Sequence, residues 1–307
     1  MRQPREVEIL VLGGTGMLGH KMFQQLHGKV HGTHCTIRGS VNDTNLCNVD
    51  LFHSGSVFER IDATDVGALT HFLLEHRPKV IVNCIGIVKQ RAISNKALPN
   101  ILTNALLPHQ LSEICRDWGG KLIHISTDCV FSGRRGGYRE DDLTDAEDLY
   151  GRTKSLGEVL AENVLTLRTS IIGRELTSFH SLLEWFLAQD HTRVRGYRRA
   201  IFSGTTTNQL TSIVCDLIEK YPDLVGLYHV TGPTISKFDL LSLIRDAYAL
   251  DIEIIPDNEF SCDRSLSGEK FHSATRYVSP GWGELVERLA HDETPYEQWR
   301  TLKNEVL

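Results

Sequence analysis

The chain has 307 residues, 41% of them hydrophobic and 23% charged, with a formal net charge of −6. That length accommodates one large domain or two unequal ones sharing a core, and the mild negative charge excludes a general attraction to nucleic acid or an anionic membrane. No apolar run reaches the roughly 18 residues needed to span a bilayer, and residues 1–6 lead into a strand-like run without signal-peptide features, so a cytoplasmic location is expected.

In chain order, residues 7–12 form an apolar strand ending at glycines, and 17–27 an amphipathic helix. A second strand spans 30–38, residues 39–56 read as a polar loop, and 57–62 form a third strand. A helix covers 65–76, with Asp65 near its start. The uninterrupted apolar run 79–86 (KVIVNCIG) is a strand covered on both faces. A helix over 101–118 stops at Gly119-Gly120, a strand follows at 121–127, then a helix around Tyr150 and a strand at 164–172. Beyond it the pattern loosens into helices at 179–189, 210–221, 236–250 and 282–291, a short strand at 226–230, and an arginine- and threonine-rich loop at 193–209.

Alternating strands and helices define an α/β chain with a doubly wound parallel sheet of the Rossmann type. Residues 1–172 are expected to form the dinucleotide-binding domain. Residues 173–307 form a smaller, mainly substrate-binding region, of which 226–250 packs back on the first domain. The seven cysteines include no Cys-x-x-Cys pair and read as reduced thiols. His27, His31, His34 and Cys35 match no established ligand spacing, and no metal is predicted.

Gly13, Gly16 and Gly19 follow the first strand in the spacing G-x-x-G-x-x-G. The first allows a sharp turn, the second lets backbone approach a pyrophosphate, and the third permits close helix–strand packing. With Thr15, Met17 and Leu18 they form the expected dinucleotide loop, at a helix N-terminus whose free N–H groups suit phosphate. Arg38 stands where an acidic ribose-binding residue is usual, and its guanidinium suits a 2′-phosphate, which favours NADPH, with NADH as the alternative. Asp62 and Ala63, and Cys84, Ile85 and Gly86 after Asn83, sit at successive strand ends, the edge where ligands bind in this architecture.

The strongest chemical signal is Tyr150-Gly151-Arg152-Thr153-Lys154 downstream of Ser126-Thr127-Asp128. A phenol and an ammonium four residues apart share one helix face, with a hydroxyl at the end of the preceding strand. A cation near the phenol is expected to pull its pKa down, equipping it to exchange a proton with a carbonyl or alcohol oxygen. In the second half, Arg193, Arg195, Arg198 and Arg199 suit a diphosphate by charge and forked hydrogen bonding, and Arg195 and Arg199 are the candidate substrate contacts.

Four stretches (13–19, 83–86, 126–131 and 150–154) resemble the extended short-chain dehydrogenase/reductases. Ser126-Thr127-Asp128-Cys129-Val130-Phe131 is similar to the dTDP-4-dehydrorhamnose reductase branch, as are 167–170 and 226–230. The resemblance implies that Thr127 hydrogen-bonds a substrate carbonyl, Tyr150 protonates it, and Lys154 holds the nicotinamide ribose. It further implies that Asn104 positions Lys154 through water and that Cys129 and Val130 border the substrate. It points to a nucleotide-sugar 4-keto reductase, for which a homodimer is expected, and the composition gives no reason to expect nucleic-acid or membrane partners. A nucleotide-sugar epimerase or dehydratase, and a non-catalytic NADP-binding regulatory subunit, are the alternatives. The chain departs from the branch at Cys129, where Tyr is frequent, in the lack of a proline before Tyr150, and at 264–267.

Overall fold

The protein is described from a computed structural model covering residues 7–89, 92–177 and 179–300. Residues 1–6, on which the expected lack of an export signal rests, lie outside this range. Seven strands build the main sheet: β1 (Ile9–Leu12), β2 (Thr33–Thr36), β3 (Val57–Phe58), β4 (Val80–Asn83), β5 (Lys121–Thr127), β6 (Val164–Thr169) and, after three strands placed elsewhere, β10 (Gly226–His229). They run parallel in the order β10-β6-β5-β4-β1-β2-β3, which is the expected doubly wound sheet. Successive strands step outward from β1 in both directions. The switch point therefore lies between β1 and β4, where the carboxyl ends diverge and a crevice opens.

Every residue of β1 is buried, because each face of the sheet carries its own helical layer. Ile9 and Val11 pack with Met22, Phe23 and Leu26 of α1 (Met17–Lys29) and with Leu210 of α7 (Thr207–Lys220). Leu10 and Leu12 face the opposite layer, Leu69 and Leu73 of α2 (Val66–His76) and Leu111 of α4 (Leu107–Arg116). Alternation along one strand thus feeds two cores, which is why the strand reads as a continuous apolar run. Asp65 caps α2 by accepting from the Ala68 N–H at 3.0 Å.

The 101–118 region is not one regular helix. A short α3 (Ala97–Asn100) passes into a π-helical turn, Ile101–Leu106, before α4. The expected strand at 164–172 also divides: β6 stays in the main sheet, and β7 (Ile171–Ile172) pairs with β9 (Thr205–Thr206). The expected loop at 193–209 is largely strand. β8 (Arg193–Phe202) alternates exposed arginines with buried Val194, Ala200 and Phe202. It pairs in parallel with β12 (Glu253–Asp263) and antiparallel with β11 (Ile235–Ser236). The arginines obscured a period-two pattern that only pairing with β12 makes useful.

This three-stranded sheet anchors a second core with α6 (Leu182–Leu187), α8 (Lys237–Ala247) and α10 (Trp282–Ala290), through Phe186, Phe202, Leu240, Ile244 and Leu285. The remaining α-helices among the described residues are α5 (Leu149–Leu156), α9 (Glu269–Thr275) and α11 (Tyr296–Arg300). The chain crosses between the two cores more than once. β10 and α7 belong to the main sheet's layers, whereas α8 packs in the second core. His34 is buried against Phe58 and His31 is exposed just before β2, so the histidine cluster does not converge.

Candidate functional site

The carboxyl ends of β1, β4, β5 and β6 open into a cavity of about 310 Å³, closed on the far side by Phe202, Ser181, Leu182 and Lys237 from the second core. Its near wall begins at the glycine loop. Gly13 adopts φ 83°, and a Cβ at Gly19 would lie 2.0 Å from the Gly13 carbonyl, so helix and turn meet only without side chains there. Gly14 N–H donates to the Thr36 carbonyl at 2.8 Å, hooking the loop to β2. Gly16 is the N-cap of α1 and offers no side-chain cap, and Gly16, Met17 and Leu18 line the cavity. That leaves first-turn N–H groups available to an anion.

Thr15 lies in the same turn, half-buried. Arg38 is exposed beyond β2, close enough to help hold the Asp62 carboxyl below its usual range, behind the larger effect of Thr64. Asp62 accepts from the Thr64 N–H (2.9 Å) and hydroxyl (2.7 Å), and Ala63 follows, half-buried. Cys84, Ile85 and Gly86 line the cavity past β4. Burial pushes the Cys84 thiol up to about 12, so it stays protonated.

Thr127 ends β5, and its hydroxyl donates to Asp128 (3.1 Å) and accepts from the Cys129 N–H (3.1 Å). Tyr150 and Lys154 come from α5, which Asp148 caps by accepting from the Gly151 N–H at 2.8 Å. A Cβ at Gly151 would lie 2.2 Å from the Cys129 carbonyl. Glycine there lets α5 lie flush on the turn after β5 and brings Tyr150 to Thr127. Thr127, Tyr150 and Lys154 all line the one cavity.

The electrostatics differ from expectation. Burial pushes the Tyr150 phenol above its usual value, although a hydrogen bond with Thr127 opposes the shift. Lys154 does not depress it: its Nζ donates to the Ile125 carbonyl at 2.6 Å and lies 3.4 Å from His124 Nε2. Burial lowers Lys154 itself to about 8. Asn104, in the π-helical turn, donates to the Ile87 carbonyl (3.0 Å) and accepts from the Ile87 N–H (2.9 Å). It also reaches Thr153 Oγ1 at 3.4 Å. Its amide therefore ties the 84–88 loop to α5, and no direct contact with Lys154 is involved.

Three expected substrate residues are placed elsewhere. Val130 is fully buried with Phe131, Tyr138 and Leu266 and does not line this cavity. Arg195 is exposed on β8, 3.9 Å from Asp257, and Arg199 is exposed on the same strand; neither lines the cavity. Cys129 does line it, with its thiol pushed up to about 12 by burial.

Residues that the sequence reading passed over complete the walls. Lys237, at the start of α8, holds its ammonium 3.8 Å from the Phe202 ring centroid and is lowered to about 8 by burial. Burial raises Asp128, while Lys237 and Arg264 pull it back. Lys89 pairs with Asp148 at 2.6 Å and lies 5.7 Å from the Tyr150 ring centroid. Ser126 also lines the cavity. Its hydroxyl donates to Glu158 (2.6 Å), which also binds Arg168 through two contacts of 2.7 Å. A lysine opening a helix and a histidine inside an apolar strand carry no local signal; only the fold brings them here.

A Rossmann-type sheet with a Thr–Tyr–Lys set at its carboxyl edge defines the class of protein. The family model described as the RmlD substrate binding domain matches residues 7–290, and the chain belongs to that family. It is 27% identical over 258 residues to methionine adenosyltransferase 2 subunit beta of Pongo abelii, covering 79% of this chain and 72% of that protein. It is 31% identical over 157 residues to a dTDP-4-dehydrorhamnose reductase of Streptomyces griseus, covering 51% and 45%. The solved dTDP-4-dehydrorhamnose reductase from Bacillus anthracis in complex with NADP superposes with a TM-score of 0.76 at 20% identity, over 92% of this chain and 98% of that one.

Proposed function

We propose that the protein is an NADPH-dependent reductase of the 4-keto group of a nucleotide-linked deoxysugar, with dTDP-4-dehydrorhamnose as the leading substrate. The observation that carries this reading is the convergence of Thr127, Tyr150 and Lys154 in one cavity with the open N-terminus of α1. Gly13, Gly16, Met17 and Leu18 would hold the pyrophosphate, Arg38 a 2′-phosphate, and Lys154 the nicotinamide ribose. The bound cofactor supplies a hydride. Thr127 orients the substrate oxygen and Tyr150 delivers a proton to it. Lys237 and Lys89 add positive charge to the substrate side, taking the place first given to Arg195 and Arg199. A second reading, a regulatory subunit that binds the dinucleotide without turnover, is supported by the similarity to the methionine adenosyltransferase subunit.

NADPH oxidation followed across a panel of nucleotide-4-keto-sugars separates the two. Turnover with stoichiometric NADPH loss is expected; tight NADP binding without turnover on any member would favour the regulatory reading. In the same assay Arg38→Ala is expected to raise the Michaelis constant for NADPH and leave that for NADH nearly unchanged. An NADH preference indifferent to this substitution would remove the 2′-phosphate assignment.

A further inference from the structure

Beneath the catalytic lysine, hydrogen bonds with fixed polarity run back into the sheet. The Ile85 N–H donates to Asn83 Oδ1 at 3.0 Å. A backbone N–H can only donate, so this contact settles which end of the amide is oxygen. Asn83 Nδ2 is then the atom 3.2 Å from His124 Nδ1. An NH₂ group has only protons to offer, so Nδ1 must accept. A neutral imidazole that accepts at Nδ1 carries its proton on Nε2. Burial keeps His124 neutral. The Nε2–H therefore points at Lys154 Nζ, 3.4 Å away, while Nζ donates to the Ile125 carbonyl. An ammonium has no lone pair to receive that proton; a neutral amine has one.

We propose that His124, locked by Asn83 in its Nε2–H tautomer, is a positioning residue that favours the neutral amine of Lys154 in the resting site. The ammonium form, which stabilises a Tyr150 phenolate, is then favoured when Nζ turns from His124 toward another acceptor. The groups that face Lys154 agree with this. Cys84 from the end of β4 is a protonated thiol. Glu158, beyond α5, favours the ammonium, but its carboxylate is engaged by Arg168 and Ser126. Tyr150, one turn earlier on α5, is a neutral phenol. The inference rests on the reductase reading for its effect on rate but not for its structural core.

The test is the imidazole nitrogen spectrum of the full chain labelled with ¹⁵N-histidine, from pH 6 to 9. The His124 signal is identified by its loss in His124→Phe or, should that variant not fold, by its movement in Lys154→Met. An unprotonated Nδ1 beside a protonated Nε2 throughout is expected; a protonated Nδ1 or an imidazolium overturns the proposal. Asn83→Asp replaces a donor by an acceptor and is expected to switch the proton to Nδ1; retention on Nε2 overturns it as well. In turnover, His124→Phe is expected to move the alkaline limb of kcat upward by about one pH unit, the equivalent of one hydrogen bond; an unmoved limb counts against it. The spectra require neither cofactor nor substrate. The expected tautomer without turnover therefore supports the proposal and counts against the reductase reading alone.

Discussion

Tyr150 is a half-buried phenol with Lys89 5.7 Å from its ring centroid, while Lys154 donates to the Ile125 carbonyl instead. As the proposed proton donor it rests as a neutral acid, the form the proposed carbonyl reduction needs at its start. Tyr150→Phe should lower kcat by roughly 10²–10⁴ with the dinucleotide dissociation constant nearly unchanged, measured by stopped-flow turnover and by fluorescence titration. A variant retaining full turnover would remove Tyr150 from the mechanism. Lys237 is a second titratable group at this site. In the folded chain it releases its proton near 8, against 10.5 for an unperturbed lysine. Between those values the unfolded state binds more protons, so this group's contribution to stability rises with pH, and its burial cost is fully felt below about 8. Buried thiols such as Cys84 and Cys129 act oppositely above 9, so the test is a difference. The stability advantage of Lys237→Met over wild type, from urea midpoints, should shrink as pH rises from about 8 to 10.5. A difference flat across that window would mean the ammonium is not desolvated.

At the scale of elements, β5 and α5 supply Thr127, Tyr150 and Lys154, and a buried brace fixes their spacing. Arg168 on β6 grips Glu158 in a two-point contact. Glu158 takes the Ser126 hydroxyl from β5, and the guanidinium also lies over the Phe131 ring at 5.1 Å. Both charges are almost wholly buried, so removing one leaves the other stranded. Glu158→Ala should therefore cost about 3–5 kcal/mol in chemical denaturation and lower turnover as well, since β5 and the end of α5 lose their tie. A loss below about 1 kcal/mol would show that water reaches Arg168 freely. The π-helical turn serves the same end from the other side, because it lets Asn104 reach Ile87 and Thr153 together.

Across the whole molecule, the C-terminal segment returns to the first helix. The Nδ1–H of His20 donates to the Gly16 carbonyl at 2.8 Å, and its Nε2 accepts from the Tyr296 hydroxyl at 2.8 Å. Lys21 pairs with Asp292 at 2.6 Å. Burial lowers His20 to about 4, so it remains a neutral link between tail and glycine loop. Tyr296→Phe leaves a buried imidazole nitrogen without a donor and should cost about 1–3 kcal/mol. The loosened loop should weaken NADP binding several-fold. Unchanged melting and affinity would show that α11 merely covers the surface. Among the described residues, no helix is long and apolar enough to cross a membrane.

The alternation of strands and helices, the glycine loop, and the 127/150/154 set were legible in the sequence because each is a local pattern. Period, turn chemistry and one helix turn of spacing are all written within a few residues. The arginine-rich strand β8 was not, since exposed charges mask its period until β12 supplies a partner. Nor were the roles of Lys237, Lys89 and His124, which depend on elements far apart in the chain meeting at one sheet edge. The direction of the Tyr150 shift was also beyond local reading: spacing put an ammonium on its face of the helix, but burial and the Ile125 carbonyl decided what that ammonium does. Sequence alone determined which groups are present and which element carries each; desolvation and hydrogen-bond polarity, properties of the packed interior, decided their protonation and their partners.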